Sequence, residues 1–318
     1  MKVLVTGGLG YLGSVLVPVL AQRGLVRVYD SMMFGNHLAG VPNVEFITGD
    51  IRDGAKLKTA VAGVTDVFHL AGVVTDALVD MNPILARRIN VEATAELSRL
   101  AHDADVRRLI YVSSSSVYGS QKIQASIETD TPNPLTEYAR TKLDAEGPVL
   151  DAGGTVIRMA TLMGPAPRMR LDTIVNIFSK QAHFDRRITV HGGEQWRTNI
   201  HVRDAAAAYL AILTREPPLR GIWNLGWRPM MALDIAREVA RAYGGVPIVV
   251  ADVADERSYM MSGEQLKAAL PGWWPKRTVW DASLDNRRWF IESALDPTDP
   301  LYDNTRRMAG FMREEAKT

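Results

Sequence analysis

The stretch MKVLVTGGLGYLG, residues 1–13, runs from a short apolar strand pattern directly into a cluster of glycines. Apolar side chains then recur at helical spacing over residues 14–23, so the glycines lie where a strand turns into a helix. Gly7, Gly10 and Gly13 leave room for a tight turn, for a pyrophosphate against backbone N–H groups and for helix-on-strand packing. The stretch therefore predicts the first strand, turn and helix of a dinucleotide-binding sheet.

A second predicted strand, residues 25–29, ends at Asp30. A carboxylate at this point can accept hydrogen bonds from both ribose hydroxyls of an adenosine, and it repels a 2′-phosphate. Ser31, Met32 and Met33 follow, so no arginine comes next to receive that phosphate. These residues favour NAD over NADP. The alternative is that Asp30 only caps a loop.

Strand and helix patterns alternate through the first half of the chain. With short links, this alternation predicts a parallel sheet with right-handed crossovers and a ligand crevice at the carboxyl ends of its strands. The predicted fold class is therefore α/β, a Rossmann-type doubly wound parallel sheet. Further predicted strands are 44–53, 66–72, 108–112 and 155–158, and the longer predicted helices are 83–102 and 136–150.

Beyond residue 163 the regular alternation gives way to prolines, scattered arginines and tryptophans. That composition suggests a smaller substrate-binding lobe whose segments are interleaved with the first domain. We expect an NAD-binding domain over 1–162, a lobe over 163–318, and segments near 196–226 that return to the first domain.

Composition is that of an ordinary globular protein: of 318 residues, 47% are hydrophobic and 23% are charged. A net charge of +1 gives no electrostatic attraction for nucleic acid or a membrane surface. The absence of cysteine excludes disulfides, thiolate nucleophiles and cysteine metal sites, and we predict no metal. No signal peptide or membrane span is visible, so we expect a cytoplasmic protein.

The chemistry is predicted from Tyr138 and Lys142, together with the serine run 113–116. Residues four apart on a helix project from one face, so the ammonium of Lys142 can lie near the phenol of Tyr138 and lower its pKa. Such a phenol is a base near neutral pH, and a serine hydroxyl can bond the same substrate oxygen. A solvated helix face is the alternative, because this spacing is common by chance.

Other positions are assigned by their neighbours in sequence. Asp50 and Ile51 end the third predicted strand where they could flank an adenine ring, although Asp50 could equally belong to a cap of the next helix. The amide of Asn90 could brace the active-site loop. His69 lies in an apolar run and is predicted to be a core histidine.

The glycine turn, GDIRD at 49–53, HLAG at 69–72, SSSSVYG at 113–119 and YARTK at 138–142 together resemble the extended short-chain dehydrogenase/reductases, in particular their nucleotide-sugar epimerase/dehydratase branch. The resemblance extends over nearly the whole chain, because VHGG at 190–193, WR at 196–197, HVRD at 201–204 and NLG at 224–226 keep the order of that branch. It is specific for fold and cofactor and much less so for substrate.

The resemblance implies a role for each matching residue. Tyr138 would be the acid/base, Lys142 would lower its pKa and hold the nicotinamide ribose, and Ser114 would bond the sugar hydroxyl, with Ser113 and Ser115 as rivals. Around NAD it places Gly7, Gly10, Tyr11, Leu12, Asp30, Asp50, Ile51, Leu70, Ala71, Gly72, Asn90, Tyr138 and Lys142. Around a nucleotide-sugar it places Ser114, Ser115, Tyr138, Asn176, His191, Arg197 and Arg257, with the arginines on the pyrophosphate and His191 on the base.

Members of the branch share a first step, in which the tyrosine takes a hydroxyl proton and a 4-keto sugar forms. A 4,6-dehydratase also needs an acidic pair, carried in the branch as Thr-Asp-Glu where this chain has serine at 114–116. A 4-ketoreductase often prefers NADP, which Asp30 disfavours. We predict an NAD-dependent nucleotide-sugar 4-epimerase, with a 4-ketoreductase or dehydratase as the alternative and a non-catalytic NAD-sensing protein as a distant one.

The helices around 90–101 and 138–150 carry more apolar surface than one sheet face needs. As the family implies, we expect a homodimer joined through a four-helix bundle.

Overall fold

The computed structural model describes residues 2–120, 124–253 and 257–314. The strands are β1 (Lys2–Thr6), β2 (Leu25–Asp30), β3 (Val44–Thr48), β4 (Asp66–His69), β5 (Arg108–Ser114), β6 (Thr155–Met159), β7 (Thr161–Met163), β8 (Ile188–His191), β9 (Trp196–His201), β10 (Gly221–Leu225), β11 (Pro229–Met231) and β12 (Ile248–Ala251). The α-helices are α1 (Gly13–Ala21), α2 (Gly54–Val61), α3 (Asp76–Met81), α4 (Pro83–Arg87), α5 (Ala93–Asp103), α6 (Glu137–Asp144), α7 (Glu146–Asp151), α8 (Ile174–Lys180), α9 (Val202–Thr214), α10 (Ala232–Ala242), α11 (Glu264–Ala269), α12 (Val279–Ser293) and α13 (Asn304–Glu314).

Seven strands form one sheet in the order β10-β6-β5-β4-β1-β2-β3, and every neighbouring pair is parallel. This sheet confirms the predicted doubly wound α/β fold. Val3, Leu4 and Val5 of β1 are fully buried, because helices cover both faces, and the strand therefore reads as a continuous apolar run. The strand order reverses between β1 and β4, which places the ligand crevice beyond their carboxyl ends.

Two apolar cores hold the helices on this sheet. On one face α1 packs against α9, where Leu16, Leu20 and Tyr209 are fully buried. On the other face α2, α5 and α7 pack side by side, with Leu97 and Val149 fully buried. The sheet is thus rigidly covered on both faces, and its carboxyl edge is left to bind ligands.

The second half of the chain adds a smaller lobe. Strand β9 pairs with β7 and β11, and β8 pairs with β12, all outside the main sheet. Helices α8, α10 and α12 enclose a third core. Within the segment predicted to return, 196–226, β10 pairs with β6 at the edge of the main sheet and α9 packs on α1, whereas β9 stays in the lobe.

Two long helices of the prediction are interrupted in the structure. The predicted helix 136–150 is divided into α6 and α7 at Ala145. Pro148 has no N–H to donate to the carbonyl of residue 144, so a regular helix cannot continue through this point. The predicted helix 83–102 contains a π turn, Arg88–Glu92, between α4 and α5. That turn carries Asn90.

The surplus of apolar surface expected on these helices is not found. Their leucine, valine and alanine side chains are largely buried against their own sheet. Over residues 83–103 and 136–151, Ile84 is the one large apolar side chain that is fully exposed, at 71%. The outer faces carry charged residues instead, including an Arg87–Asp144 ion pair of 2.7 Å.

No helix within the described parts of the chain is both long and apolar enough to cross a membrane.

Candidate active site

The glycine-rich turn between β1 and α1 needs glycine at two positions. Gly7 has a φ of +69°, and a Cβ on it would lie 2.6 Å from the backbone nitrogen of Ala71. A Cβ on Gly13 would lie 2.5 Å from the carbonyl oxygen of Gly8. Any other residue would therefore push the turn away from the end of β4 or from the start of α1. The turn leaves the N-terminus of α1 facing the crevice, where an anion is stabilised.

Asp30, at the end of β2, faces the same turn. Its carboxylate accepts hydrogen bonds from the backbone N–H groups of Leu9, at 3.0 Å, and Met32, at 2.8 Å. Burial raises the pKa of Asp30, while these two donors and the charge of Arg168 act to lower it. Asp30 thus ties the glycine turn to β2 and also lines the cavity, where it can meet a ribose.

A cavity of about 660 Å³ extends along the carboxyl edge of the sheet and under the lobe. Its walls bring together residues that are far apart in sequence, and its size is that of a ligand site. The glycine cradle at one end and the tyrosine–lysine pair further along fit an extended dinucleotide. The predicted residues that line it are Gly7, Gly10, Tyr11, Leu12, Asp30, Asp50, Ile51, Leu70, Ala71, Gly72, Ser114, Ser115, Tyr138, Lys142, His191, Arg197 and Arg257.

Helix α6 presents Tyr138 and Lys142 to this cavity. Thr136 begins the helix, because its hydroxyl accepts a hydrogen bond of 3.2 Å from the backbone N–H of Ala139. Lys142 is buried, and its Nζ lies 4.3 Å from the centroid of the Tyr111 ring on β5. Helix periodicity and the neighbouring strand therefore fix both side chains at one point of the wall.

The serine run is resolved by its hydrogen bonds. Ser113 also lines the cavity, but it donates its hydroxyl proton to the buried carboxylate of Glu146 at 2.6 Å. Ser114 accepts a hydrogen bond of 2.8 Å from Ser116, and its side chain acts to lower the pKa of Tyr138. Ser115 lines the cavity beside them. Of the three rivals, Ser114 is the one whose side chain acts on the pKa of Tyr138, and its catalytic role stays a prediction.

The expected lowering of the Tyr138 pKa by Lys142 is wrong. Burial raises the pKa of Tyr138 above its ordinary value, the Ser114 hydrogen bond and the charge of Arg170 act to lower it, and Asp76 acts to raise it. Lys142 itself is so deeply buried that its pKa falls to about 7, although Glu146 acts in the opposite direction. Desolvation is the largest cause of both shifts, and neither neighbour is among the causes of the other's shift.

Arg170 and Asp172 form an ion pair in the cavity wall that no local sequence pattern assigned. Two hydrogen bonds, of 2.7 and 3.1 Å, join the guanidinium of Arg170 to the Asp172 carboxylate. The pair lines the cavity, the side chain of Arg170 is largely buried, and its charge acts on Tyr138. More than thirty residues separate Arg170 from Tyr138, so only the tertiary fold could link them.

Two residues that were predicted to bind NAD or the substrate, Asn90 and Asn176, lie behind the cavity wall and do not line the cavity. Asn90 accepts a hydrogen bond of 2.8 Å from the N–H of Val73 and donates one of 3.0 Å to its carbonyl, so it braces the loop after β4. Asn176 is fully buried. Its Nδ2 donates to the Tyr11 hydroxyl at 2.9 Å and to the Arg170 carbonyl at 2.8 Å, and its Oδ1 accepts from Gly164 and Asn286. Because these bonds use both ends of the amide, Asn176 positions other wall residues.

His69 is a core histidine, as predicted. It is buried between the hydroxyls of Thr6, at 2.7 Å, and Thr94, at 2.8 Å. Burial lowers its pKa to about 3, so it stays neutral and structural.

The lobe places Arg197, Arg257 and His191 on the opposite wall. Arg197 is mostly buried, and its guanidinium donates to the carbonyls of Trp196 and Arg257. Arg257 is half-exposed and pairs at 3.0 Å with Asp76 of the first domain, so the two halves of the chain meet across the cavity. His191 lies exposed at the end of β8, at the rim.

Comparison with known proteins identifies the class. The model of the NAD dependent epimerase/dehydratase family matches residues 3–226. A UDP-glucose 4-epimerase of Halalkalibacterium halodurans is 30% identical over 87% of this chain and 91% of its own length. A dTDP-D-glucose 4,6-dehydratase of Mus musculus is 26% identical over 93% of each chain. The structure of a Thermus thermophilus UDP-glucose 4-epimerase in complex with NAD superimposes with a TM-score of 0.80 at 27% identity, covering 92% of this chain and 99% of that one.

The chain belongs to the NAD dependent epimerase/dehydratase family. It is an NAD-dependent enzyme of the nucleotide-sugar epimerase/dehydratase type, and the predicted family and cofactor are confirmed. The relatives catalyse different reactions at similar identity, so the particular reaction has to be argued from the site.

Proposed function

We propose that the protein is an NAD-dependent nucleotide-sugar 4-epimerase. The observation that carries the proposal is the state of the carboxylates near Tyr138. Elimination of water from a 4-keto sugar needs an acid and a base beside it, and the serine run provides neither. Among the residues that the structure describes, the carboxylates lining the cavity beyond the dinucleotide cradle are Asp172, paired with Arg170, and Asp76, paired with Arg257; Asp255 and Glu256 lie outside the described residues. Burial acts to raise the pKa of Asp172, but the charge and hydrogen bonds of Arg170 are the main causes that lower it below its ordinary value, which makes Asp172 a poor proton donor. The Asp76 carboxylate is engaged by Arg257.

The residues around the phenol divide the work of the reaction. Tyr138 removes the proton of the sugar 4-hydroxyl and returns it, and Ser114 hydrogen bonds the same oxygen. Arg170, held by Asp172, favours the ionised phenol that burial opposes. Lys142 lines the same cavity one helical turn beyond Tyr138, where its ammonium can reach a ribose hydroxyl of the cofactor. When bound, NAD would supply the hydride acceptor for C4 and the donor that returns the hydride to either face of the sugar.

The proposed domains are an NAD-binding domain over 1–162 and a lobe over 163–318. The lobe is proposed to hold the nucleotide half of the substrate. Arg197 and Arg257 lie next to each other on the wall, since the guanidinium of Arg197 bonds the Arg257 carbonyl. Guanidinium forks suit a pyrophosphate. The ring of His191 is exposed at the rim, where it can stack on a base.

Proton NMR of the NAD-loaded protein with UDP-glucose, UDP-galactose and dTDP-glucose in D₂O tests the reaction. We expect interconversion of the C4 epimers, with the hydrogen at C5 retained, and no net change in NADH absorbance. Loss of water with deuterium entering C5 would replace the proposal by a 4,6-dehydratase. Stoichiometric formation of NADH with release of a 4-keto sugar, which is the reverse of ketoreduction, would replace it by a 4-ketoreductase. Bound NAD with no change in any sugar would favour the sensing protein.

A further inference from the structure

Helix α13 lies within the segment assigned to the lobe, 163–318, but is anchored on the first domain. Met308 and Met312 are buried in the core that contains Leu4 and Val67 of the main sheet. The side chain of Asn82 donates a hydrogen bond of 3.1 Å to the carbonyl of Met312. The helix therefore packs on the domain that holds the dinucleotide.

Its contacts place α13 at the adenosine half of the NAD site. Arg307 donates a hydrogen bond of 2.9 Å to the carbonyl of Met33, three residues beyond Asp30. The guanidinium of Arg52 lies 5.8 Å from the centroid of the Phe311 ring and is hydrogen bonded at 2.7 Å to Asp50. Helix α13 therefore lies next to Asp30, which is assigned to the ribose, and to Asp50, which is assigned to the adenine.

The start of the helix is fastened to the opposite wall. Asn304 accepts a hydrogen bond from the guanidinium of Arg168, and its backbone N–H donates to Asp172 at 3.3 Å. Arg168 is buried and stacks on Phe34 at 3.7 Å from the ring centroid. The helix thus bridges the crevice between the domain and the segment 168–172. Asn304, Met308 and Phe311 line the cavity.

We propose that α13 covers the adenosine half of bound NAD, with Phe311 and Met308 against the adenine, and that it slows release of the cofactor. A phenyl ring and a thioether are suited to the flat face of a base. The bridge from Asn304 to Arg168 and Asp172 holds this cover shut across the crevice. The inference rests on NAD binding, and it stands whichever sugar reaction the site performs.

Binding of NAD and of its two halves to the purified protein tests the proposal. In Phe311→Ala, we expect the Kd for NAD and for ADP-ribose to rise about tenfold, equivalent to about 1.4 kcal/mol. The Kd for nicotinamide mononucleotide, which lacks the adenosine, should not change. Stopped-flow displacement should show faster release of NADH. Arg313→Ala, on the exposed side of the same helix, is the matched control and should bind all three ligands as the wild type does.

Two results would overturn the proposal. One is an unchanged Kd for ADP-ribose in Phe311→Ala, and the other is an equal loss for both halves of the cofactor, which would indicate general damage to the fold. Should the alanine variant fail to fold, hydrogen exchange of the wild type decides. We expect the amides of α13 to gain protection on addition of ADP-ribose and none on addition of nicotinamide mononucleotide. Equal protection with either, or with neither, would remove the helix from the site.

Discussion

The proposed role of Tyr138 depends on a single oxygen atom. Tyr138→Phe removes the hydroxyl on whose pKa Ser114 acts and leaves the ring in the cavity wall. We expect turnover to fall by roughly 10² or more, the usual contribution of a positioned acid/base, while NAD still binds. The absorbance of NADH after rapid mixing under single-turnover conditions measures the rate of hydride transfer, which accompanies the proton removal assigned to Tyr138. Tyr209→Phe, a buried phenol in the core, is the control for removing a hydroxyl. Near-normal turnover in Tyr138→Phe would exclude it as the base.

Asp30 combines a structural and a selective role. Asp30→Asn keeps an oxygen that can accept from Leu9 or Met32, and it removes the charge that repels a 2′-phosphate. We expect the ratio of the Kd for NADP to the Kd for NAD to fall by roughly tenfold, which corresponds to about 1.4 kcal/mol. Asp80→Asn makes the same charge change at an exposed position and should leave the ratio alone. An unaltered ratio in Asp30→Asn would refute the role of the carboxylate.

Lys142 makes folding stability depend on pH. Its pKa is about 7 in the folded protein, well below the ordinary 10.5, so between these values the unfolded chain binds a proton that the folded chain lacks. The free energy of unfolding should therefore rise with pH from about 7 to 10.5, by up to about 1.4 kcal/mol per unit, and the penalty is fully present below pH 7.

Urea unfolding of wild type and Lys142→Met from pH 6 to 9.5 measures this penalty. The variant should be the more stable protein at pH 6, and the difference should shrink as the pH rises. Parallel profiles would mean that the lysine is not desolvated as its position indicates.

Among the elements, the turn between β1 and α1 tolerates the least change. In Gly13→Ala the new Cβ would lie 2.5 Å from the Gly8 carbonyl oxygen, so the helix must shift away from the strand. We expect a loss of about 1–3 kcal/mol in the free energy of unfolding together with weaker NAD binding. Gly310→Ala, on a helix with nothing within 4 Å of the new Cβ, should be neutral or slightly stabilising. Calorimetry with and without NAD compares them, and equal behaviour of both variants would contradict the close approach.

The whole molecule is still predicted to be a homodimer. The outer faces of α4, α5 and α6 are mostly charged, and Ile84 is the exposed apolar side chain on which an isologous contact can centre. Light scattering should give twice the chain mass of 35.1 kDa. Ile84→Arg should lower that mass toward the monomer, whereas Ile291→Arg, at a position 66% exposed in the lobe, should not. A wild-type protein of monomer mass would end this prediction.

Short-range physics explains what could be predicted without the fold. The glycine turn, the end of β2 at Asp30 and the spacing of Tyr138 and Lys142 depend on sterics and periodicity within a few residues. The same local reasoning predicted one helix over 136–150, where the structure has α6 and α7. The helix is interrupted there because Pro148 lacks the N–H that a regular helix needs.

What the sequence by itself determined is therefore the sheet, the dinucleotide turn and the helix that carries the phenol and the lysine. Tertiary structure alone decided that Ser113 bonds Glu146 while Ser114 acts on the pKa of Tyr138, and that Asn176 lies behind the wall. It also brought Arg170 to the phenol and laid α13 beside Asp50. Those outcomes depend on burial and on contacts between residues tens to hundreds of positions apart. Desolvation, which raised the Tyr138 pKa against the local expectation, exists only once the chain has closed around the group.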